Sequence, residues 1–332
     1  MVNTNIIVVT VFLLEICQAS LLQQLNYMAA QRIYTTTKNI VYTQRQTPFS
    51  LDNIMSSSME MAMENCQRSF KWERWNCPTS DFILRRAAKS SELDREGAYV
   101  EAIATAAIIY TTAKNCSSGM IAGCGPCSDS PYTSQCSDNP QAAEILLRRH
   151  IDVNFPNEFY GKIFTHNYKA IINLLEKSLT TQCVCTAMAP SGKCSQQVCR
   201  QVLKPFEEIA DDIRQMYDEG ILLENTIINS RILWDNIPLD VLVFMRDSPN
   251  YCELDAVPQW NGMVGRQCAA GTNNDDLSEE DQDRCNHLCR ECGYSVEQKK
   301  VLTETRCNCK LTWDFKMQCD SCKIAETHHF CY

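Results

Sequence analysis

The sequence predicts a disulfide-rich α+β protein in which a helical N-terminal domain precedes a small cysteine-rich C-terminal domain. Three observations support this prediction. Helical patterns of apolar residues dominate the chain up to residue 228, and ten of the 21 cysteines lie at Cys252 or beyond. Near the C-terminus, strict alternation of apolar and polar residues indicates a long β-hairpin. The expected boundaries are 20–228 for the helical domain, 229–250 for a linker and 251–332 for the cysteine-rich domain.

Residues 1–19 have the features of a secretory signal peptide. An apolar run begins at Ile6 and ends before small residues, so we expect cleavage after Ala19. Glu15 and the lack of a basic residue before the run depart from the usual pattern, and an N-terminal anchor or a buried strand is the alternative. Cleavage removes Cys17 and leaves 20 of the 21 cysteines. An even number at this density in a secreted chain indicates disulfides.

Four stretches predict amphipathic helices, namely residues 95–116, 137–150, 157–179 and 200–220. Ser137, Asp138 and Asn139 offer N-cap side chains before Pro140, and Gly220 suits the end of the last helix. We therefore expect a helical bundle. Within it, CVCTAMAPSGKC (183–194), with Cys199 following, predicts a short loop clamped at its base.

The stretch CNCKLTWDFKMQCDSC, residues 307–322, predicts the hairpin. Nested pairs Cys309–Cys319 and Cys307–Cys322 would join two strands around a tip near residues 313–315. A hairpin this narrow cannot bury large apolar side chains by itself, so we expect a partner to cover them. Folding of the hairpin back onto its own domain is the alternative. The apolar members of the alternation are Leu311, Trp313, Phe315 and Met317.

Charge and motif content exclude several classes of function. The net charge of -9 and pI of about 5.2 disfavour nucleic acid, anionic lipid and glycosaminoglycan surfaces. The acidic run from Asp275 to Asp283 is expected to be a solvated loop, because it lacks the spacing of a calcium site.

The remaining chemical motifs predict neither catalysis nor a cofactor. The pairs in CGPC, CREC and CDSC are read as disulfides, since a thioredoxin-type centre needs a helix to follow and zinc competes poorly with oxidation outside the cell. The five histidines lack metal-binding spacing, and Ser191 lies in no nucleophile motif. We expect no metal, no cofactor and no enzymatic activity. Asn115, in Asn-Cys-Ser, is the candidate glycosylation site.

Several motifs follow one another from about residue 60 to the end of the chain. They are CQRSFKWERWNC (66–77), REGAYVEAIATAA followed by CSSG, SPNYC (248–252), GRQC (265–268), CNHLCRECGY (285–294), RCNCKLTW (306–313) and the terminal HHFCY. In this order they resemble the Wnt family of secreted signalling ligands. The resemblance implies two projecting hairpins, a thumb in the helical domain and a finger in the cysteine-rich domain, that grip the extracellular cysteine-rich domain of a Frizzled receptor.

The resemblance also implies a set of disulfides that uses all cysteines beyond residue 19. The implied pairs are Cys66–Cys77, Cys116–Cys124, Cys127–Cys136, Cys183–Cys199, Cys185–Cys194, Cys252–Cys292, Cys268–Cys285, Cys289–Cys331, Cys307–Cys322 and Cys309–Cys319.

The thumb tip departs from the family pattern. Most family members read like CHGVSGSC there, and the first serine carries a palmitoleoyl chain that enters a receptor groove. Here Cys185 and Cys194 enclose TAMAPSGK, in which only Ser191 and Gly192 align. We expect a ligand without this lipid, with acylation of Ser191 as the alternative. The implied thumb contacts are Met188, Pro190, Ser191 and Gly192. At the finger tip, Trp313 is followed by Asp314 and Phe315 where the family has two cysteines.

The resemblance implies a secreted, extracellular ligand, acting as a monomer, with a Frizzled-family receptor and an LRP-type co-receptor as partners. Most family members are basic and bind heparan sulfate, whereas the acidic charge of this chain predicts weak or no heparan sulfate binding. Within the family, the sequence most resembles a divergent insect member whose name indicates inhibition of Dorsal. This resemblance implies feedback inhibition of Toll/Dorsal signalling in development and immunity. A secreted antagonist that binds Frizzled or another Wnt without activating β-catenin signalling is the alternative.

Overall fold

A computed structural model describes residues 51–87, 93–121, 136–148, 158–223, 234, 236–254, 260, 262–271, 277–311 and 316–332. The chain divides into two compact units. The first comprises residues up to Ser69 together with Cys77–Ser248, and the second comprises Phe70–Asn76 together with Pro249–Tyr332. The mixture of helices, strands and disulfides matches the predicted fold class.

The described elements of the first unit are helices and two short sheets. They are α1 (Leu51–Ser69), α2 (Thr79–Ala87), α3 (Arg95–Ser117), α4 (Pro140–Arg148), α5 (Glu158–Lys177), β1 (Leu179–Met188), β2 (Cys194–Leu203), α6 (Phe206–Asp218), β3 (Ile221–Leu222) and β4 (Val243–Phe244).

Helix α3 is the centre of the first unit. Asp94 caps it, accepting a 2.8 Å hydrogen bond from the Gly97 N–H. The helix is buried along most of its length. Its many alanines let α1, α4, α5 and α6 pack closely against it, while Tyr99 and Ile103 are fully buried and fill the spaces between helices. The sequence prediction of a helix over 95–116 is confirmed.

One predicted helix begins where it was expected and another begins later. Helix α4 begins at Pro140, as predicted, and Asn139 is its cap, because the Asn139 Oδ1 accepts from the Ala142 N–H at 2.9 Å. Helix α6 begins at Phe206, and the expectation of helix from residue 200 was wrong. Residues up to Leu203 belong instead to strand β2, whose pairing with β1 supplies the backbone hydrogen bonds that a helix would otherwise provide.

The described part of the segment expected as a linker packs into the first unit. Strand β4 pairs in parallel with β3, and Val243 and Phe244 are buried beside Leu223 and Ile163. Asn167 holds this strand by donating to the Val243 carbonyl and accepting from the Val243 N–H, both at 2.9 Å. The first unit therefore continues to Ser248.

The second unit is built on a long hairpin and disulfides. Its described elements are α7 (Glu279–Leu288), a 3₁₀ turn (Arg290–Cys292), β5 (Val296–Leu311) and β6 (Met317–Cys331). The acidic run contains part of α7, so the expectation of a loop was wrong from Glu279 onward. Ser278 caps the helix by accepting from the Asp281 N–H at 3.2 Å. The acidic residues in the first turn also stabilise the helix, because their negative charges lie at the positive end of its dipole.

The segment Phe70–Asn76 is part of the second unit. Arg266 donates to the carbonyls of Lys71 at 2.8 Å and Glu73 at 3.2 Å, and burial lowers the Arg266 pKa to about 10. Phe70 and Trp75 pack edge to face with ring centroids 4.9 Å apart. Among the described helices, none combines the length and apolar character that crossing a membrane requires.

Candidate functional site

The thumb hairpin, strands β1 and β2 (residues 179–203), is a two-stranded antiparallel ribbon. Cys183 lies directly opposite Cys199 in the register, with their Cα atoms 4.0 Å apart, and a disulfide joins them. A second disulfide, Cys185–Cys194, closes the ribbon just before the tip. Two strands without a core are marginally stable in water, so these covalent bonds maintain the hairpin where hydrophobic packing does not.

The thumb tip is a tight turn closed by its own backbone. The Gly192 N–H donates to the Ala189 carbonyl at 2.9 Å, and the Ala189 N–H donates to the Lys193 carbonyl at 2.8 Å. Pro190 suits the second position of such a turn, and Gly192 supplies the positive φ of 76° that the chain needs to return. The hydrogen bonds that close the tip therefore come from its own backbone.

Exposed apolar side chains lie on the thumb. Met188 is 71% exposed next to the turn, and Val184, which sequence reasoning missed, is 52% exposed on β1 opposite Val198. Pro190, Ser191 and Gly192 are also exposed, and no described residue hydrogen-bonds the Ser191 hydroxyl. The structure thus brings the four predicted thumb residues together at one end of the hairpin.

The thumb base is fixed by Asp138, which sequence analysis assigned only to helix capping. Its carboxylate accepts from the Leu203 N–H at 2.8 Å, the Ser117 hydroxyl at 2.5 Å and the Lys114 ammonium at 2.6 Å. The Asp138 N–H also donates to the Gln201 carbonyl at 2.9 Å. Because Asp138 is buried, these charge-assisted bonds tie β2 to the end of α3 and set the direction of the thumb.

The finger hairpin, strands β5 and β6 (residues 296–331), is the second projecting ribbon. Leu311 lies opposite Met317 at the end of the described register. A bulge occurs between Cys307 and Lys310, where Asn308 has a φ of 49°. Disulfides Cys307–Cys322 and Cys309–Cys319 flank this bulge.

Only part of the predicted finger site lies within the described residues. Met317 is 67% exposed, and the backbone of Leu311 ends β5. Trp313 and Phe315 lie outside the described residues. At the base of the finger, the Cys268 N–H donates to the His329 carbonyl at 2.9 Å, and Cys331 forms a disulfide with Cys289. The finger is thereby attached to its unit at the end opposite the tip.

Eight of the ten implied disulfides are present among the described residues. They are Cys66–Cys77, Cys183–Cys199, Cys185–Cys194, Cys252–Cys292, Cys268–Cys285, Cys289–Cys331, Cys307–Cys322 and Cys309–Cys319. Cys116 and Cys136 are also disulfide-bonded. Their implied partners, Cys124 and Cys127, lie outside the described residues. In the part of the chain that the structure describes, no group of three potential ligands could hold a metal ion.

The candidate glycosylation residue Asn115 lies in the last turn of α3. Its carbonyl accepts from the Met120 N–H at 3.0 Å and its side chain is partly exposed. Ser117, the third residue of the sequon, is buried and donates its hydroxyl to Asp138.

A comparison with family models decides the relationship that the motifs suggested. The model described as the wnt family matches residues 32–332. The chain belongs to the Wnt family. Members of this family are secreted signalling proteins.

Individual Wnt proteins show how similar this member is to others. The Wnt inhibitor of Dorsal protein of Drosophila melanogaster is 43% identical over 293 residues, covering 88% of this chain and 92% of that protein. The Wnt-8 protein of Xenopus laevis is 31% identical over 291 residues, covering 81% and 80% respectively. The sequence prediction of a Wnt most similar to the insect Dorsal inhibitor agrees with these comparisons.

Two solved Wnt structures show the same architecture. One is from the complex of human WLS with WNT8A, where the match has a TM-score of 0.65 and 27% identity and covers 89% of this chain and 99% of that chain. The other is the crystal structure of the Drosophila WntD N-terminal domain and linker, with a TM-score of 0.51 and 41% identity over 61% of this chain and all of that chain.

Proposed function

We propose that the protein is a secreted Wnt ligand that binds the extracellular cysteine-rich domain of a Frizzled-family receptor through the tips of the thumb and finger, without a lipid on Ser191. It acts as a monomeric ligand and has no catalytic role. The observation that carries this proposal is the thumb tip, a self-closed turn that presents exposed Met188 on a covalently clamped hairpin.

The physical reason is preorganisation. A flexible loop must lose conformational freedom when it binds, at about 1–2 kcal/mol for each backbone residue fixed. The two thumb disulfides and the two tip hydrogen bonds remove most of this freedom before the receptor arrives. A rigid tip with modest apolar area, such as the exposed Met188 side chain, then contributes to binding without a large ordering cost.

The tip sequence supports binding without the lipid. An acyltransferase must recognise the loop before modifying it, and of the usual tip only Ser191 and Gly192 remain. The lipid would add about 10 kcal/mol of gross transfer energy at about 0.8 kcal/mol per methylene. Without it, the finger residues Trp313, Phe315 and Met317 supply most of the apolar contact.

Receptor binding by purified secreted protein tests this proposal. We expect Met188→Asp and Met317→Asp each to weaken binding to a panel of Frizzled cysteine-rich domains by at least about tenfold, because each puts a charge where an apolar side chain is covered. Leu302→Asp is the matched control, since Leu302 is 70% exposed on the finger shaft, nine residues before Leu311 in the chain. Equal effects of all three substitutions would contradict tip-specific contact, as would the absence of binding to every receptor.

A secreted antagonist is the second candidate. The 43% identity to a protein named Wnt inhibitor of Dorsal supports a role in restraining Toll/Dorsal output during development and immunity. The altered thumb tip supports occupation of Frizzled, or of another Wnt, without activation of β-catenin signalling. A β-catenin reporter, with and without an LRP-type co-receptor, separates the two. Activation supports the ligand, and competitive suppression of another Wnt supports the antagonist.

The remaining proposed properties follow from sequence. A signal peptide over residues 1–19 would direct the chain to the extracellular space, and N-terminal sequencing of the secreted protein checks cleavage after Ala19. A glycan at Asn115 is checked by the mass shift on glycosidase treatment. The net charge of -9 supports weak or no retention on heparan sulfate of the extracellular matrix, which chromatography on heparin checks at moderate salt.

A further inference from the structure

A groove of about 980 Å³ lies beside the thumb base in the first unit. Helix α1 forms one wall, and the start of α6 with the base of the thumb forms the other. Tyr110 and Phe206, whose ring centroids are 5.2 Å apart, line its apolar part. This groove takes no part in the receptor contacts proposed above, which lie at the hairpin tips.

The groove is negatively charged. The carboxylates of Glu60, Glu64, Glu207 and Glu208 line it, and within the described ranges none of the four has an ion-pair partner. The two lysines of the lining are already engaged, since Lys114 contacts Asp138 at 2.6 Å and Lys204 lies 3.9 Å from Asp212.

The titration of Tyr110 is consistent with this charge. Its pKa is raised, first by burial and then by the negative charges of Asp138 and Glu207. Unpaired like charges around a half-enclosed groove repel one another, so the groove favours a cationic occupant.

Residues 20–50 of the same chain have the complementary charge. They contain Arg32, Lys38 and Arg45 and no Asp or Glu, although the whole chain carries a net charge of -9. The segment also contains Tyr27, Tyr34 and other apolar residues that suit the Tyr110–Phe206 part of the groove.

The segment is also connected in the chain to a helix that lines the groove. It leads directly into α1 at Leu51, and α1 lines the groove from Ser57 to Asn65. At 1.5 Å per residue, these positions lie about 9–21 Å along the helix from its start. Even a short part of the segment spans that distance at about 3.3 Å per extended residue.

We propose that residues 20–50 bind the acidic groove formed by α1, the thumb base and the start of α6, with their basic side chains pairing with its glutamates. The covalent connection gives the segment a high effective concentration at the groove, so individually weak surface pairs suffice for occupancy. Covering the thumb base would also protect the hydrogen bonds by which Thr180–Gln182 pair with β2.

Carboxylate footprinting of the full secreted protein tests the proposal. Carbodiimide-activated coupling of a small amine, read by mass spectrometry, reports the accessibility of each groove glutamate relative to Glu176, which lies outside the groove lining. In the variant Arg32→Glu, Lys38→Glu, Arg45→Glu we expect labelling of the four groove carboxylates to rise by about tenfold, because three surface pairs are lost. The matched control reverses three exposed finger cations, Arg306, Lys310 and Lys323, and leaves groove labelling unchanged.

A charge exchange makes the test independent of folding defects. Adding Glu60→Lys, Glu64→Lys and Glu208→Lys to the segment variant restores complementarity, and we expect protection of the remaining Glu207 to return. Coupling without added amine should also join Lys38 to a groove glutamate within one chain.

Each alternative occupant gives a different result, and each overturns the proposal. Unchanged labelling in the segment variant shows that the groove is empty or covered otherwise. Protection that depends on protein concentration indicates a second copy, and protection that appears only with another extracellular protein indicates a basic partner.

Discussion

Replacing Ser191 by alanine separates a lipid-free ligand from a lipid-dependent one. In the structure the Ser191 side chain is exposed, and the tip is held by backbone hydrogen bonds from the Gly192 and Ala189 N–H groups. Removing a solvated hydroxyl that supports no described contact changes stability by less than about 0.5 kcal/mol. We therefore expect Ser191→Ala to leave receptor affinity within about twofold of that of the unaltered protein.

The lipid-dependent case predicts a very different magnitude. A chain of sixteen carbons buried in a receptor groove contributes up to about 10 kcal/mol of gross transfer energy. Even if ordering costs offset half of it, Ser191→Ala would then weaken binding by more than about a thousandfold. The two cases differ by orders of magnitude, so a single titration distinguishes them.

The assay is surface-based binding of secreted protein to an immobilised Frizzled cysteine-rich domain, with mass spectrometry of the tip peptide in parallel. Ser195→Ala is the matched control, because Ser195 lies on the same hairpin and donates its hydroxyl to the Ala187 carbonyl at 3.0 Å. A thousandfold loss specific to Ser191→Ala, or a palmitoleoyl adduct on the Ser191 peptide, would refute the reasoning.

Three further predictions concern the tip and the core. Gly192→Ala places a side chain at a φ of 76° with open space around it, where backbone strain costs about 1 kcal/mol. The free tip escapes this strain by leaving the turn conformation, and restoring the turn on binding should lower receptor affinity about fivefold; unaltered affinity would show that the turn conformation does not matter. Burial raises the pKa of the Glu96 carboxyl above 4.5, so as pH rises this group ionises in the unfolded chain before it ionises in the folded protein. The free energy of unfolding therefore falls as pH rises from about 4.5 through the folded pKa. Glu96→Gln should abolish this loss in urea titrations, and an unchanged pH slope would contradict it. Asn167→Ala removes the partner of the Val243 N–H and C=O and should lower the free energy of unfolding by about 2–4 kcal/mol. Asn173→Ala is the control, because Asn173 makes an exposed contact at 3.4 Å whose loss should cost less than about 0.5 kcal/mol. Equal costs would show that the Asn167 hydrogen bonds do not stabilise the fold.

Local sequence patterns predicted several elements well. The alanine-rich stretch that begins at Arg95 forms the buried helix α3, and the alternation around Leu311 and Met317 belongs to paired strands. These signals depend on the periodicity of side chains along a single element, which the sequence contains directly.

Other local signals were present but were read incorrectly. Ser278 and Asp281 form a cap with the spacing of a helix start, yet the density of acidic residues around them suggested a loop. Residues 200–203 were predicted to begin a helix but form the end of strand β2. Pairing with β1 outweighs the weak intrinsic helix propensity of these residues.

The sequence alone predicted a helical unit and a disulfide-rich unit with a cysteine-clamped finger hairpin, because periodicity and cysteine spacing are properties of neighbouring residues. The thumb hairpin was expected only from the resemblance to the Wnt family. Only the tertiary structure showed that Asp138 anchors the thumb and that Asn167 holds β4. It also showed that four glutamates without an ion-pair partner among the described residues share one groove. These features join residues that are far apart in the chain, and a side chain's hydrogen-bond partner is set by which distant backbone the fold places beside it.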